Sequence, residues 1–340
     1  MVCIDYRKLI GFSNGSFVVT MPKSWVKKHN LKKGDMIGID ENTDQLVFYA
    51  GAKEAEKEEK PISINADDKS LALIKAEIVT AYLNNYNTIE IFSSTLHDDA
   101  PVIKGIIRNL SGMEIIEQTG SRIVAKDLID VSSISIQSII RRMDTITRSM
   151  IDDTISCIHG KCNPNGILHR DTDVNRLYYL GARVIKNAID DPMAMNRLKT
   201  SPWRLLSDKS LLRRIEEIAD NQKRVCRLVA NAEFEGEILE EFRQINEEVE
   251  ARYNDVMKSY YNNDKKTAFD IEMTHKSCIE RCNKFFENAS KKLSVEISHG
   301  KEPTTLSRTN IVPLANIIEY KKATLNFIRH LSRIVLSMDQ

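Results

Sequence analysis

The chain has 340 residues, of which 42% are hydrophobic, and its 49 basic and 48 acidic residues leave a formal net charge of +1. This length accommodates two or three domains, and the composition is typical of globular rather than disordered proteins. No apolar run reaches the roughly 20 residues of a membrane-spanning helix, and residues 1–5 do not resemble the start of a secretion signal. Six scattered cysteines do not predict a disulfide framework, so we expect a cytoplasmic protein without membrane insertion.

The basic residues are concentrated near the N-terminus. Residues 6–34 contain seven lysines and arginines and no aspartate or glutamate. The phosphate backbone of a nucleic acid attracts a segment of this kind, because each basic side chain can neutralise a phosphate charge. A solvated protein surface has the same appearance, and charge alone does not decide between the two interpretations.

Residues 1–52 combine strand-forming and turn-forming sequences. Residues 17–21 are β-branched and apolar and follow a turn-type sequence, which predicts a strand. Pro22 then begins a short helix over residues 23–30, since proline is tolerated in a first helical turn. Residues 37–40 and 45–49 predict a hairpin. A unit of about fifty residues buries little core alone, so we expect dimerisation.

The remainder of the chain divides into a linker and two further regions. The highly charged residues 53–61 predict a linker, and residues 62–129 predict a small α+β domain with the order β-α-β-α-β-β. Residues 130–340 predict six helices, because glycine and proline separate segments that each carry one apolar stripe. Such helices pack side by side, and their similar lengths suggest three-helix repeats over 130–234 and 235–340. The six segments are about 131–159, 168–191, 204–234, 237–262, 265–299 and 313–338.

The N-terminal residues resemble a known family. The sequences RKL at 7–9, NGSFVVTMPKSWV at 14–26 and LKKGDMI at 31–37 are similar to the swapped-hairpin AbrB (SpoVT/AbrB) domain. The resemblance covers about 45 residues, and it implies that two chains interdigitate their hairpins to form one DNA-binding barrel. Some members of this fold serve mainly as dimerisation or antitoxin modules.

The resemblance also implies which residues contact DNA. It places Arg7, Lys8 and Lys23 near the DNA, with Lys27 and Lys28 as flanking phosphate contacts. The physical properties of the side chains agree with this assignment. Lysines provide salt-sensitive attraction that is independent of sequence, whereas an arginine can also pair with a base through two hydrogen bonds.

The helical region resembles a second family. LHRDTDVNRLYYL at 168–180, followed by Arg183, and IAD at 218–220 are similar to PhoU-type regulators of phosphate uptake. Those proteins contain two three-helix bundles in tandem. An AbrB-like head, an α+β middle part and a PhoU-like tail resemble the archaeal phosphate-regulator fusions, so the resemblance covers nearly the whole chain. The fold class is then multidomain and mainly α.

The second resemblance implies a metal site on the helices, for a divalent or ferric ion. The family motif has an acid and an aspartate four residues apart, which places both carboxylates on one helix face. Here Asp171 and Asn175 occupy the motif, with Asp220 on the following helix, so one negative charge is lost. The second repeat is degenerate. The alternative is that Asp171 and Asp173 only stabilise the N-terminal turn of a helix.

Two cysteine patterns suit a soft metal ion but are more typical of buried side chains. His275, Cys278 and Cys282 share a helix stripe with apolar residues, and Cys157 and Cys162 have no second pair at zinc-site spacing. The sequence contains no phosphate-binding glycine-rich loop, nucleophile elbow or HExxH motif. We therefore predict no enzymatic activity and no certain cofactor.

Together with the two resemblances, these patterns predict a homodimeric DNA-binding transcriptional regulator of phosphate uptake. Its helical bundles would sense a ligand, a metal or a partner. The alternative is an interaction protein that does not bind DNA and negatively regulates a phosphate transporter or its signalling kinase, with an N-terminal domain that only dimerises. The long helical region disfavours a third alternative, an antitoxin-like protein.

Overall fold

The computed structural model describes residues 6–11, 15–42, 45–50, 59–94, 96–230, 236–298 and 306–338. The chain divides into two compact units, Met1–Glu59 and Lys60–Gln340. Residues 53–58 of the predicted linker lie outside the described residues. The predicted multidomain, mainly α fold is confirmed, and within the described ranges no helix is both long and apolar enough to cross a membrane.

The described part of the first unit contains two antiparallel ribbons and one helix. Ile10 of β1 lies opposite Val18 of β2, and the β3–β4 register runs from Ile37 opposite Ala50 to Asn42 opposite Gln45. The turn before β3 uses Gly34, whose φ of +98° is favourable only for glycine. The elements are β1 (Ile10–Gly11), β2 (Phe17–Val18), α1 (Lys23–Lys28), β3 (Ile37–Asn42) and β4 (Gln45–Ala50).

The described part of the first unit has no hydrophobic core. None of the side chains described between residues 6 and 50 is buried. Nine large apolar side chains are instead exposed, from 38% for Val19 to 88% for Tyr6. They are Tyr6, Leu9, Ile10, Phe17, Val18, Val19, Met36, Ile39 and Leu46.

The second unit begins with a four-stranded sheet covered by two helices, in the predicted element order. The strand order is β5-β6-β8-β7, in which β5 and β6 are parallel and the other pairs are antiparallel. Buried isoleucines such as Ile74, Ile91 and Ile103 fill the space between sheet and helices. The elements are β5 (Pro61–Asn65), α2 (Leu71–Leu83), β6 (Thr88–Phe92), α3 (Leu96–Arg108), β7 (Met113–Gln118) and β8 (Arg122–Asp127).

Among the described residues after the 3₁₀ turn at Val131–Ser133 there are seven helices. The long helices of this region form two halves. In the first half α4 packs with α5 and α7, and in the second half α8 packs with α9 and α10. Contacts of α7 with α10 and of α4 with α8 join both halves into one hydrophobic core. The helices are α4 (Ile136–Ile158), α5 (Pro164–Asp190), α6 (Pro192–Arg197), α7 (Pro202–Val229), α8 (Gly236–Asn262), α9 (Lys265–Ser298) and α10 (Leu306–Leu336).

Three helix details differ from the sequence prediction. α5 begins at Pro164 instead of residue 168, because the Asn163 side chain accepts the Gly166 N–H (3.1 Å) and proline suits the first turn. α10 begins at Leu306 and contains Pro313, so packing overrides the local preference of proline. The short helix α6 was absent from the prediction.

Gly181 permits the close approach of α5 to its neighbours. A Cβ atom at this position would lie 2.6 Å from Leu212 Cδ1 on α7 and 3.4 Å from Ile139 Cγ2 on α4. A Cβ atom fits at the first of these distances only if the Leu212 side chain or the helices shift. Glycine therefore stands inside a long helix at this point for a packing reason.

A buried ion pair connects α5 to the sheet. Arg183 Nη2 donates to Asp127 Oδ2 at the end of β8 (2.6 Å), and the two side chains are 1% and 3% exposed. Arg183 Nε also donates to Asn85 Oδ1 (3.1 Å), and the guanidinium lies 4.5 Å from the centre of the Tyr82 ring. The α+β part and the helical part are thereby fixed to each other by charge as well as by apolar contact.

Candidate nucleic-acid interface and polar sites of the helical unit

The predicted DNA-binding residues are exposed side chains on α1 and on the segment before β1. Lys23 and Lys27 are four residues apart on α1, which places them on one helix face, and Lys28 is adjacent. Arg7 and Lys8 precede β1, and all five side chains are exposed. α1 has no acidic residue in its first turn, so no carboxylate there offsets the positive charge. This surface is able to attract phosphate groups.

The three predicted metal ligands lie together, around the ammonium group of Lys223. Lys223 Nζ is 2.9 Å from Asp171 Oδ2 and 2.6 Å from Asp220 Oδ1. Asn175 Nδ2 donates to Asp171 Oδ2 (3.3 Å), and Arg224 Nη2 is 2.7 Å from Asp220 Oδ2. Two carboxylates are therefore balanced by two basic side chains.

As arranged, these residues hold an ammonium group and do not fit a metal ion. Burial alone lowers the pKa of Lys223, but its hydrogen bonds to Asp220 and Asp171 outweigh this effect and raise the pKa above its usual value. The Lys223 ammonium group therefore stays protonated, and it occupies the position between the two carboxylates where a shared metal ion would bind. Metal binding at Asp171, Asn175 and Asp220 requires Lys223 to move away, and it stays a prediction.

Glu216 is a further acidic residue of this region that the sequence analysis missed. It precedes Asp220 by four residues on α7, the same spacing as Asp171 and Asn175 on α5. Burial raises the pKa of the Glu216 carboxyl, and the charges of Asp220 and Asp171 add to the increase, against the opposing charge of Arg213. The spacing of two acidic residues with three residues between them on α7 could have identified Glu216 in the sequence.

Glu216 also lines a cavity of about 340 Å³ between the α+β part and the helices. Thr172, Asn175 and Tyr179 of α5 form one side, and residues of α2 and α3, including Lys75, form the other. The cavity combines one acidic, one basic and several uncharged polar side chains. Its lining has no excess of either charge.

A larger cleft, of about 660 Å³, has a basic lining. It lies where the 3₁₀ turn and the start of α4 meet the connection from α6 to α7. Arg197 Nη1 donates to Ser132 Oγ (3.1 Å), and Arg204 is 3.1 Å from the buried Asp208 carboxylate. The lining contains three basic side chains, one acidic side chain and four hydroxyl groups, so it carries an excess of positive charge. Two of the hydroxyls already donate to Asp130, that of Ser132 to the carboxylate (2.9 Å) and that of Ser133 to the backbone carbonyl (2.8 Å). The hydroxyls belong to Ser132, Ser133, Ser135 and Thr200, and the third basic side chain is that of Lys199.

Two acidic residues of the second helical half, Glu272 and Asp264, have structural partners. Glu272 on α9 accepts from Arg333 and Arg329 on α10, with Nη2–Oε1 distances of 2.8 and 2.6 Å, and these hydrogen bonds lower the pKa of Glu272 to about 2. Asp264 caps α9, since its Oδ1 accepts the Thr267 N–H (3.1 Å). Neither carboxylate is left for a metal ion in this arrangement.

Comparison with known proteins adds information on both regions. Residues 13–48 match the family MazE_antitoxin, described as antidote-toxin recognition MazE, bacterial antitoxin. No curated protein matches the chain at a significant level. The crystal structure of PhoU from Pseudomonas aeruginosa is similar at 14% sequence identity and a TM-score of 0.48, over 59% of this chain and 93% of that chain. The N-terminal part of the chain is therefore MazE/AbrB-like, as its sequence predicts.

Proposed function

We propose that the protein is a DNA-binding transcriptional regulator that dimerises through its first unit. The helical part of its second unit responds to a ligand. The observation that carries the proposal is the exposed basic surface of α1 within the MazE-type match at 13–48. The proposal assigns no catalysis. Its physiological setting, the control of phosphate uptake, rests on the resemblance of the sequence to phosphate-uptake regulators.

A second copy of the chain is the partner that best completes the first unit. Two-stranded ribbons are marginal alone, and these ribbons expose Phe17 at 67% and Ile39 at 62%. Exposed apolar side chains of this number mark an interaction surface. An identical unit offers the same apolar ribbons, so that a two-fold dimer buries apolar area from both copies at once.

Dimerisation doubles the basic surface and predicts a steep salt dependence of DNA binding. Each chain supplies five candidate contacts, so a dimer supplies about ten, and each neutralised phosphate adds about −0.9 to the slope of log K against log salt. Replacement of Arg7 and Lys8 in both chains removes four contacts. The slope is then expected to fall by up to about 4.

The test is fluorescence anisotropy of full-length protein with duplex DNA over a series of salt concentrations. The Arg7→Ala/Lys8→Ala and Lys23→Ala/Lys27→Ala variants are expected to bind more weakly and with a smaller slope. Lys209→Ala/Lys258→Ala is the matched control, because both lysines are exposed on the second unit. Absence of binding at low salt refutes DNA binding, and equal slopes for all variants refute its assignment to these basic residues.

The principal alternative is an interaction protein that restrains a phosphate transporter or its kinase without binding DNA. Its first unit would then only dimerise. Recovery of a membrane ATPase subunit in pull-down, together with no enrichment of DNA, favours this alternative. Genome-wide chromatin enrichment at promoters that changes between high and low phosphate favours the regulator.

The basic cleft is the best candidate for the ligand response. Its positive excess matches the negative charge of a phosphate-bearing ligand, and the Ser135 and Thr200 hydroxyls can donate to the acceptor oxygens of such a ligand. Calorimetric titration with inorganic phosphate and with a nucleoside triphosphate tests this assignment against sulfate. Arg197→Ala/Lys199→Ala should abolish the binding, and Lys209→Ala/Lys258→Ala should retain it. Equal binding by both variants excludes the cleft.

A further inference from the structure

Three cysteine sulfurs meet at one end of the first helical half. Cys157 lies in the last turn of α4, Cys162 in the connection to α5, and Cys226 in the last turn of α7. Cys157 and Cys162 are joined as a disulfide, and Cys226 Sγ lies 3.1 Å from Cys157 Sγ and 3.6 Å from Cys162 Sγ. Cys226 is fully buried and Cys157 is 6% exposed.

The position of Cys226 does not suit thiol–disulfide exchange. An attacking sulfur approaches along the extension of the bond it breaks, which places the leaving sulfur about 2 Å farther away than the attacked one. The distances from Cys226 to the two bonded sulfurs differ by much less, 3.1 against 3.6 Å. Cys226 therefore lies beside the bond, and the three sulfurs form a compact triangle.

We propose that the reduced protein binds one thiophilic ion, Zn²⁺ or Cu⁺, between Cys157, Cys162 and Cys226. The ligand atoms of these residues all lie within 4.8 Å of one another. Thiolate ligands favour such ions over hard cations such as Mg²⁺. In the disulfide form two of the three ligands are bonded to each other, so that oxidation closes the site.

The chemistry balances with a dithiol as reductant. The dithiol gives two electrons and two protons to the Cys157–Cys162 bond, which becomes two thiols, while the dithiol becomes a disulfide. Binding of the ion then forms three metal–sulfur bonds and releases three protons, with no further change of oxidation state. Zn²⁺ retains a fourth position for a water molecule, and Cu⁺ is complete with three sulfurs.

The required rearrangement is small. With metal–sulfur bonds of about 2.3 Å, three sulfurs around one ion are roughly 3.8–4.0 Å apart. Cys226 Sγ is already close to this distance from Cys162 Sγ (3.6 Å), and its distance from Cys157 Sγ (3.1 Å) has to increase by less than about 1 Å. Reduction frees the remaining pair to separate, and Cys162 belongs to the non-helical residues 161–163, where a side chain moves without disturbing a helix.

Cys278 and Cys282 provide an internal contrast. They are buried and four residues apart on α9, and Cys278 Sγ donates to Glu248 Oε1 (3.0 Å) and to the Thr274 carbonyl oxygen (3.2 Å). Among the described residues, Glu248 contacts Cys278, but no cysteine, histidine or carboxylate forms with both cysteines a group whose ligand atoms all lie within 4.8 Å of one another. They serve as matched buried thiols outside the proposed site.

The experiment measures metal binding by the full-length chain after reduction with a phosphine, which does not act as a thiolate ligand. One Zn²⁺ per chain is expected by elemental analysis after gel filtration, and Co²⁺ is expected to give a thiolate-to-metal charge-transfer band. A chromophoric competitor compares Zn²⁺ with Cu⁺. Affinity should fall by more than about 100-fold in Cys226→Ala and in Cys162→Ser, and it should be unchanged in Cys278→Ser.

Circular dichroism establishes that each variant is folded, and Cys162→Ser is the less disruptive change because Cys162 is only half-buried. Reduced wild-type protein that stays metal-free, or variants that retain the ion, overturn the proposal. Equal binding by oxidised and reduced protein also overturns it. Peptide mapping of the oxidised chain should find Cys157 joined to Cys162, and a Cys157–Cys226 link instead would overturn the proposed arrangement.

Discussion

The buried ion pair between Arg183 and Asp127 predicts a large loss of stability when one partner is removed. The two side chains are 1% and 3% exposed, and their closest atoms are 2.6 Å apart. Arg183→Met keeps an unbranched apolar side chain in place of the arginine stem but leaves the Asp127 carboxylate buried without its counter-charge. Loss of one partner from a buried pair costs about 3–5 kcal/mol. The substitution also removes the contact of the guanidinium with Tyr82.

The double variant separates the charge from the packing. Asp127→Asn removes the negative charge and keeps an oxygen able to accept the Ile129 N–H, 3.2 Å away in the wild type. In Arg183→Met/Asp127→Asn neither charge is left unpaired, so the loss should be smaller than the sum of the two single losses. We expect a coupling energy of about 2–3 kcal/mol, within the range of contacting residues.

Urea unfolding followed by circular dichroism measures each term of this cycle. Lys186→Met is the control on the same helix, because its ion pair with Asp190 is 43% and 53% exposed and should contribute less than about 1 kcal/mol. A loss below about 1 kcal/mol for Arg183→Met would refute the reasoning. If the loss of stability in the double variant equals the sum of the two single losses, the two charges do not depend on each other.

Three further predictions concern other parts of the molecule. Phe17 is 67% exposed, so dimer formation newly covers about two thirds of it, worth about 1–2 kcal/mol per chain. In sedimentation equilibrium, Phe17→Ser should therefore raise the dimer dissociation constant about 30- to 1,000-fold, and Leu128→Ser, on an equally exposed residue of the second unit, should not. Lys223→Gln should create binding of a divalent cation, measured by calorimetry with Mn²⁺, because it removes the ammonium group from between Asp171 and Asp220 and leaves one of the two negative charges without a basic partner; no gain over wild type contradicts this. Burial lowers the pKa of Lys321 to about 7, below its value of about 10.4 in unfolded chains. Between these two pH values the unfolded state binds more protons than the folded state, so the stability of the protein should rise with pH. Lys321→Met should remove up to about 1.4 kcal/mol per pH unit of this slope in unfolding experiments between pH 7 and 10, and an unchanged slope excludes the assignment.

The long helices were predictable because periodic apolar residues report which face is buried. Ile139, Met143 and Met150 lie on the stripe predicted for the first helical segment, and all three are buried in α4. Helix ends were less predictable. Pro164 and Pro313 have the same local preference, yet one begins a helix and the other lies inside one. A cap and tertiary packing decide between these outcomes, and neither follows from proline alone.

The polar sites depended more strongly on tertiary structure. Asp171, Asn175 and Asp220 could be grouped from helical spacing and from a family resemblance. The position of Lys223 between them could not, because a lysine three residues after an aspartate commonly extends into solvent. Cys226 follows Cys162 by 64 residues in sequence, and only the packing of α7 beside the end of α4 brings the two sulfurs together.

The two helical halves neutralise their carboxylates in the same way. In each half the acid lies on the second long helix and the base on the third, Asp171 with Lys223 and Glu272 with Arg329. A cation that belongs to the chain is always present and loses no translational freedom on binding, so a metal ion has to displace it from these carboxylates. The carboxylates are then poorly suited to report a change in metal supply. Under the proposed function, the response to a ligand is better placed at the basic cleft beside α4 and α7, where an excess of positive charge has no partner of equal size within its lining.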